Sequence, residues 1–413
     1  MTFQKSDNVR ELVPSATLAV AARAKELAAG GADIVDLSAG EPDFDTPVFA
    51  SEAGIQAIRQ GHTRYTAAAG LPELRRAIAQ DLARASGVAT DPAGVVVTAG
   101  AKQALFNAMF VLFGKGDRVV VPAPYWTSYP ALVHLSRAEP LIVAGDPAQG
   151  FKMTPRILDS IDATGCAGII LNSPVNPTGA VYDERELRAV AEWALERGMW
   201  LIGDQIYGRL YHEGTRAPGL LDLGPDIAAR SIVIDGASKL FAMTGWRIGF
   251  SYSEPAIAAA MGGVQSHMTS NAATPSQYAA LAAYAEDPAG REEVRAMQRS
   301  FRARRDLVVR LFAELLPDLD FVEPRGAFYL FFRVDSHYDD AIPGSVALCA
   351  RLLDEAGVAL VPGEAFGDDR YVRMSYATSE AMIEEGIGRI ARVLNASFQL
   401  SAISAQQKLK ADS

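Results

Sequence analysis

The chain has 413 residues, 49% of them hydrophobic and 21% charged, the balance of a globular protein long enough for two or more domains and a large core. A formal charge of −10 argues against a nucleic-acid or anionic-membrane partner, either of which favours a basic face; no run approaches the roughly 18 apolar residues that span a bilayer. Cys166 and Cys349 are too few for a disulfide framework or a metal-ligand spacing, so no metal is expected and a reducing cytoplasm is the simplest home.

Residues 1–10 are polar and lack the apolar core of a secretory signal. Further on, short apolar runs predict strands at 95–98, 118–121, 140–143, 168–171, 199–202, 231–234 and 247–251. Between most of them apolar residues recur at helical spacing, as over 102–113 and 184–196. Continuous apolar strands that alternate with helices predict an α/β fold, a mostly parallel sheet covered on both faces. The stretch from Arg295 to Leu394, with long charged helical patterns around Gly326-Ala327-Phe328-Tyr329-Leu330-Phe331-Phe332, predicts a smaller α+β domain. Residues 397–413 turn polar and read as a frayed extension or tag-like tail, with a short surface helix as the alternative.

In such a sheet ligands sit beyond the carboxyl ends of the strands, so the strand-end loops are the candidate site. They carry Gly100-Ala101-Lys102, Pro124-Tyr125-Trp126, Asn176-Pro177-Thr178-Gly179, Asp204-Gln205-Ile206-Tyr207 and Ser238-Lys239. The last loop opens Ser238-Lys239-Leu240-Phe241-Ala242-Met243-Thr244-Gly245-Trp246-Arg247-Ile248-Gly249, the most informative string in the chain. A lysine just past a buried strand can be held by apolar walls that lower its pKa towards a nucleophilic amine, and Arg247 could clamp a phosphate in bidentate fashion. Taken singly, these residues have plainer readings: a solvated lysine at 239, a helix N-cap at Asp204, a turn at Asn176, an ordinary βα turn at Gly100 and a packing tryptophan at 126.

The string as a whole resembles the cofactor-lysine signature of class I aminotransferases, fold type I enzymes that bind pyridoxal 5'-phosphate (PLP). The resemblance runs from Pro14-Ser15-Ala16-Thr17 through Gly40-Glu41-Pro42-Asp43-Phe44-Asp45-Thr46-Pro47, Tyr65-Thr66 and Gly70-Leu71-Pro72-Glu73-Leu74-Arg75 to Val372-Arg373-Met374-Ser375-Tyr376-Ala377-Thr378-Ser379. It is nearest the bacterial aspartate aminotransferase branch. It implies a large PLP-binding domain over 46–294 and a smaller α+β domain built from both termini. Residues 1–45 would supply an N-terminal arm and part of the smaller domain, 295–396 the rest of it, and 397–413 the polar tail.

Carried over by position, the resemblance makes Lys239 the Schiff-base lysine and Asp204 the partner of the pyridinium nitrogen. Asn176 and Tyr207 would hold the ring oxygen, and Trp126 would cover the ring. Gly100, Ala101, Lys102, Ser238 and Arg247 would form the phosphate cup, where free N–H groups at a helix start favour an anion. Arg373 would clamp the substrate α-carboxylate, with Gly40, Trp126 and Asn176 lining the same pocket. Tyr65 would reach the phosphate of the other subunit, which implies a homodimer with shared active sites. The implied reaction is transamination between an L-amino acid and a 2-oxo acid.

For the side-chain pocket, Lys102 and Thr17 suit a distal carboxylate, which favours L-aspartate with 2-oxoglutarate; a Lys102 turned to solvent at the phosphate cup is the plainer reading. Relatives that transaminate prephenate tend to carry an arginine where this chain has Glu11, although Lys152 in Phe151-Lys152-Met153-Thr154-Pro155 fits their pattern. Gln205 stands where the family usually has glutamate, and His267-Met268 falls in a segment that the partner chain contributes. A class I aminotransferase for another donor (alanine, aromatic, prephenate/glutamate or broad), a PLP lyase on the same scaffold and a PLP-binding sensor are the alternatives.

Overall fold

The computed structural model describes the backbone of residues 4–10, 12 and 16–411, and the side chains of 4–10, 12 and 19–395. After a two-residue strand β1 (Val35–Asp36), seven strands follow in chain order: β2 (Val95–Thr98), β3 (Arg118–Ala123), β4 (Glu139–Ala144), β5 (Cys166–Asn172), β6 (Trp200–Asp204), β7 (Ser231–Gly236) and β8 (Gly249–Tyr252). They form one sheet in the order β2-β8-β7-β6-β5-β3-β4. The pairs from β7 to β4 are parallel, whereas β8 runs antiparallel to both β7 and β2. All seven predicted strands are present. The last starts two residues late, because Arg247 takes a φ of 55°, left-handed backbone that a strand cannot hold.

The pleat explains why the strands read as unbroken apolar runs. Val95, Val97, Val120, Ile169, Leu171, Leu201 and Val233 point into the core on one face, and Val96, Val119, Val121, Ile170, Ile202, Ile232 and Ile234 into the core on the other. Helices cover both faces. One, Glu184–Glu196, starts in a capping box: Asp183 accepts the Glu186 N–H at 2.7 Å and Glu186 accepts the Asp183 N–H at 2.9 Å. It buries Leu187, Val190, Ala191 and Ala194, the stripe that the sequence periodicity predicts.

The smaller domain holds β9 (Phe321–Val322), β10 (Tyr329–Arg333), β11 (Val358–Ala359), β12 (Val361–Pro362) and β13 (Tyr371–Ser375). Four of these form an antiparallel sheet, β12-β13-β10-β9, while β11 pairs in parallel with β1. Both ends of the chain therefore build it. Its core gathers Phe301, Phe312, Phe328, Phe332, Leu352, Ile383 and Ile387 from the sheet and the helices Glu292–Leu315, Ser345–Ala356 and Glu380–Ala411. The last of these helices continues through the segment read as a tail, following its helical alternative; side chains beyond 395 lie outside the described residues, as do Glu11 and the side chain of Thr17. No helix among the described residues is long and apolar enough to cross a membrane.

The sheet edge is tightly specified where β8 meets the first turn of the helix Ala101–Leu112. A Cβ at Gly249 would collide with the backbone of Gly100 and Ala101. Gly249→Ala should push that turn away and cost about 1–3 kcal/mol by overpacking. Denaturant unfolding would measure it, and an unchanged midpoint would contradict the close approach.

Candidate active site

Lys239 stands in the short helix Ala237–Leu240 directly after β7, flanked by the buried Ser238 and Leu240. Its Nζ donates to the Gly40 carbonyl at 2.5 Å and lies 5.9 Å from the Tyr207 ring and 5.8 Å from the Phe328 ring. Burial lowers its pKa to about 8, with Arg247 and Arg373 adding to the shift and Glu41 opposing it. Such an amine is partly neutral near physiological pH, the state a nucleophile or base requires.

Asp204 ends β6 and is buried. Tyr129 donates its O–H to Oδ2 at 2.7 Å, and the Ile206 N–H reaches Oδ1 at 3.2 Å. Burial raises the pKa to about 6, against the pull of the Tyr129 and Ile206 hydrogen bonds and the Lys239 charge. No helix follows Asp204, so the N-cap reading does not apply. The Tyr207 hydroxyl pairs with that of Tyr329 at 2.8 Å, and burial lifts its pKa well above the usual phenol value.

Arg373 occupies the middle of β13, opposite Phe331 of β10 and Val361 of β12. Arg373 is 2% exposed, yet it forms no ion pair with any described residue. Nη1 donates to Asn176 Oδ1 at 3.1 Å, Nη2 donates to the Ser38 carbonyl at 2.8 Å, and Nε is buried without a partner. The Tyr329 ring lies 4.4 Å away and the Phe366 ring 5.1 Å away. A buried cation held by neutral groups, with one N–H free, is suited to a carboxylate.

At the other end of the strand edge, Gly100 has a φ of +82° and precedes the helix Ala101–Leu112. A Cβ there would fall on the Arg247 guanidinium, so arginine and helix start lie against each other and offer N–H donors to an anion. The exposed Lys102 places Nζ 5.0 Å from the Trp126 ring, and partial desolvation and then Arg247 lower its pKa. Trp126 stands edge-on to Tyr129 at 5.4 Å.

Lys239, Gly40, Tyr207, Asn176 and Arg373 are thus linked by direct contacts or shared partners, and Gly100, Ala101 and Arg247 form a second group. Tyr65 stands apart, 88% exposed. Lys152 is engaged by Glu186, and the Gln205 amide lies against Gly219. Sequence reasoning missed Tyr129, Tyr329 and Ser38. Tyr129 follows Trp126 by three residues, and a buried tyrosine needs a partner, but which partner is a matter of folding.

The profile of the family described as aminotransferase class I and II matches residues 32–390. The chain belongs to this family. An aspartate aminotransferase of Geobacillus stearothermophilus is 41% identical over 94% of this chain and 98% of its own length. A bifunctional aspartate aminotransferase and glutamate/aspartate-prephenate aminotransferase of Petunia hybrida is also 41% identical, over 94% of this chain and 82% of its own length. Among solved structures, aspartate aminotransferase from Thermus thermophilus with maleate superposes with a TM-score of 0.89 at 39% identity, covering 95% of this chain and all of the other. The protein is therefore an aminotransferase that depends on PLP. The residues fit that cofactor: a glycine cradle under an arginine, a buried carboxylate and a lysine of lowered pKa.

The Asp204–Tyr129 bond gives this aminotransferase a testable pH signature. Because Asp204 is raised on folding, its ionisation lowers stability as pH climbs from 3.8 to about 6. Without the Tyr129 donor the folded pKa rises further, and the loss continues above 6. In the cofactor-free chain, Tyr129→Phe should therefore diverge from wild type chiefly above pH 6, reaching about 1.5–3 kcal/mol by pH 8. A difference that is constant from pH 5 to 8 would refute the bond.

Proposed function

We propose that the chain transfers the amino group of L-aspartate to 2-oxoglutarate. The observation that carries this reading is a pair of cations, Arg373 and Lys102, neither of which forms an ion pair with a described residue. A dicarboxylate offers two anions, one for each. Two relatives whose names include aspartate aminotransferase, each 41% identical, support it.

Within this proposal Lys239 would hold the cofactor aldehyde and Asp204 the pyridine nitrogen. Asn176 and Tyr207 would take the ring oxygen, Trp126 would lie at the ring, and Gly100, Ala101, Ser238 and Arg247 would take the phosphate. Bound there, PLP supplies an electron-poor ring that stabilises charge developing at the substrate Cα. Arg373 and Asn176 would orient the α-carboxylate beside Gly40, while Lys102 would take the distal carboxylate. Once the substrate amine has displaced it from the aldehyde, the freed Lys239 amine, partly neutral through its lowered pKa, would take the proton from Cα. Release of one 2-oxo acid before a second enters gives ping-pong kinetics.

A homodimer with shared sites belongs to the same proposal. Tyr65 is 88% exposed, and Val48, Ile58 and Met268 are exposed at 80%, 57% and 53%, apolar surface suited to a second copy. A cytoplasmic location agrees with the free thiols of Cys166 and Cys349. The Petunia relative favours a second reading, transfer to prephenate; Lys152, which fits that pattern, is tied to Glu186.

The test is turnover of the PLP-loaded enzyme with single donors and acceptors. Aspartate and glutamate should react far faster than alanine or phenylalanine, and Lys239→Ala should abolish turnover. Lys102→Ala should raise KM for aspartate about tenfold, the loss of one charged contact, and leave alanine unaffected. Preference for alanine, aromatic donors or prephenate would replace the substrate assignment. Light scattering should give twice the chain mass, and a monomer at working concentration would overturn the shared site.

A further inference from the structure

The helix Glu292–Leu315 buries Val294, Met297, Phe301, Leu307, Val308 and Phe312 on one face, and Arg304 lies within that stripe. Arg304 is the charged member, 8% exposed. Its Nη1 and Nη2 donate to the two carboxylate oxygens of Asp43 at 2.6 and 2.9 Å, a fork-to-fork pair. The Phe44 and Phe301 rings lie 5.1 and 5.5 Å from the guanidinium and stand edge to face with each other at 5.4 Å. Burying a cation in an apolar stripe is unfavourable unless its partner is fixed, so the arrangement favours one position of Asp43.

Asp43 belongs to the segment Ser38 to Thr46, which passes from the smaller domain to the larger. Ser38 gives its carbonyl to Arg373, and Gly40 gives its carbonyl to Lys239. Two carbonyls two residues apart therefore touch both the buried guanidinium and the active amine. On the large-domain side Thr244 donates to Glu41 at 2.7 Å and Thr46 to the Ala242 carbonyl at 2.9 Å. On the other side the Ser375 N–H meets the Leu37 carbonyl at 2.7 Å. Arg304 reaches the span between these anchors from the long helix.

We infer that the Arg304–Asp43 pair is a positioning device for the substrate site: it fixes the Ser38–Gly40 carbonyls and thereby the placement of Arg373 relative to the Lys239 amine. The inference rests on the reading that Arg373 takes the substrate carboxylate. Arginine matters here for its shape as well as its charge. The fork holds both oxygens of Asp43, whereas lysine would supply a point charge that leaves the carboxylate free to turn. A pair that merely fastened helix to segment would affect stability and leave substrate affinity alone.

The experiment compares Arg304→Lys, Arg304→Met and Asp43→Asn with wild type as PLP-saturated enzyme. Readouts are KM and kcat for aspartate, the Kd of the unreactive dicarboxylate maleate, cofactor absorbance and melting temperature. Misplacement of a reacting group by a fraction of an ångström should raise KM and the maleate Kd about tenfold in Asp43→Asn and Arg304→Met, with a smaller change in kcat. Arg304→Lys should fall between these and wild type, and Asp43→Asn with Arg304→Met combined should be no worse than either alone. Should Arg304→Met fail to fold, the near-isosteric Asp43→Asn carries the test. Unchanged KM and Kd in a folded Asp43→Asn enzyme would overturn the inference. Arg373→Lys separates the two levels: if it raises KM and Kd while the Asp43 variant does not, the positioning role fails and the carboxylate reading stands. If Arg373→Lys changes neither, the carboxylate reading fails and the inference goes with it.

Discussion

A guanidinium carried to the centre of a β-sheet without a carboxylate beside it is the constraint around which this site is organised. Arg373 cannot shed its charge, so the fold must surround it with dipoles and π-faces. It does so with parts from distant places: an amide from the loop after β5, a carbonyl from the segment after β1, and rings from β10 and from Phe366. Three of these groups also belong to the rest of the site. Asn176 stands in a strand-end loop, the Ser38 segment leads to Lys239, and Tyr329 supports Tyr207. Neutral solvation of this cation thus ties the smaller domain to the larger sheet edge.

The same low-polarity surroundings act on Lys239 and Asp204, lowering one pKa and raising the other. Left to themselves a buried amine and carboxylate would close on each other and neutralise the chemistry of both. Here each has another partner: the Gly40 carbonyl receives the amine, and the Tyr129 hydroxyl and the Ile206 N–H hold the carboxylate. Separate partners keep the two groups apart, and in the proposed function that lets each meet a different atom of the ligand.

Much of the large sheet was legible because each strand carries its own signal. Valine and isoleucine on both faces announce a strand covered on both sides, and the loops after β2, β5, β6 and β7 could be named before their positions were known. What stayed hidden depends on contacts between far-separated residues. Ser38 meets Arg373 across 335 positions, Arg304 meets Asp43 across 261, and Tyr207 meets Tyr329 across 122. Nothing local marks a carbonyl as an arginine's partner, and a tyrosine in an aromatic run looks the same whether it packs or supports another hydroxyl. The late start of β8 was hidden differently: Arg247 suits a strand by composition, and its left-handed backbone follows from the turn that delivers it.

The antiparallel course of β8 has a consequence for how this site can vary. β7 ends at Gly236 and β8 begins at Gly249, and these residues are paired in the ladder. The stretch between them, with both Lys239 and Arg247, leaves and re-enters the sheet at a single point. Its ends are sewn to the same rung, so a change in its length need not shift the register of any strand. The other loops at this edge lead into crossovers that must climb over the sheet before the chain returns, and they lack that freedom. The lysine loop is thus closed within a single rung of the sheet, and what holds its sequence is packing instead: Phe241 and Met243 lie in the core and Thr244 bonds to Glu41.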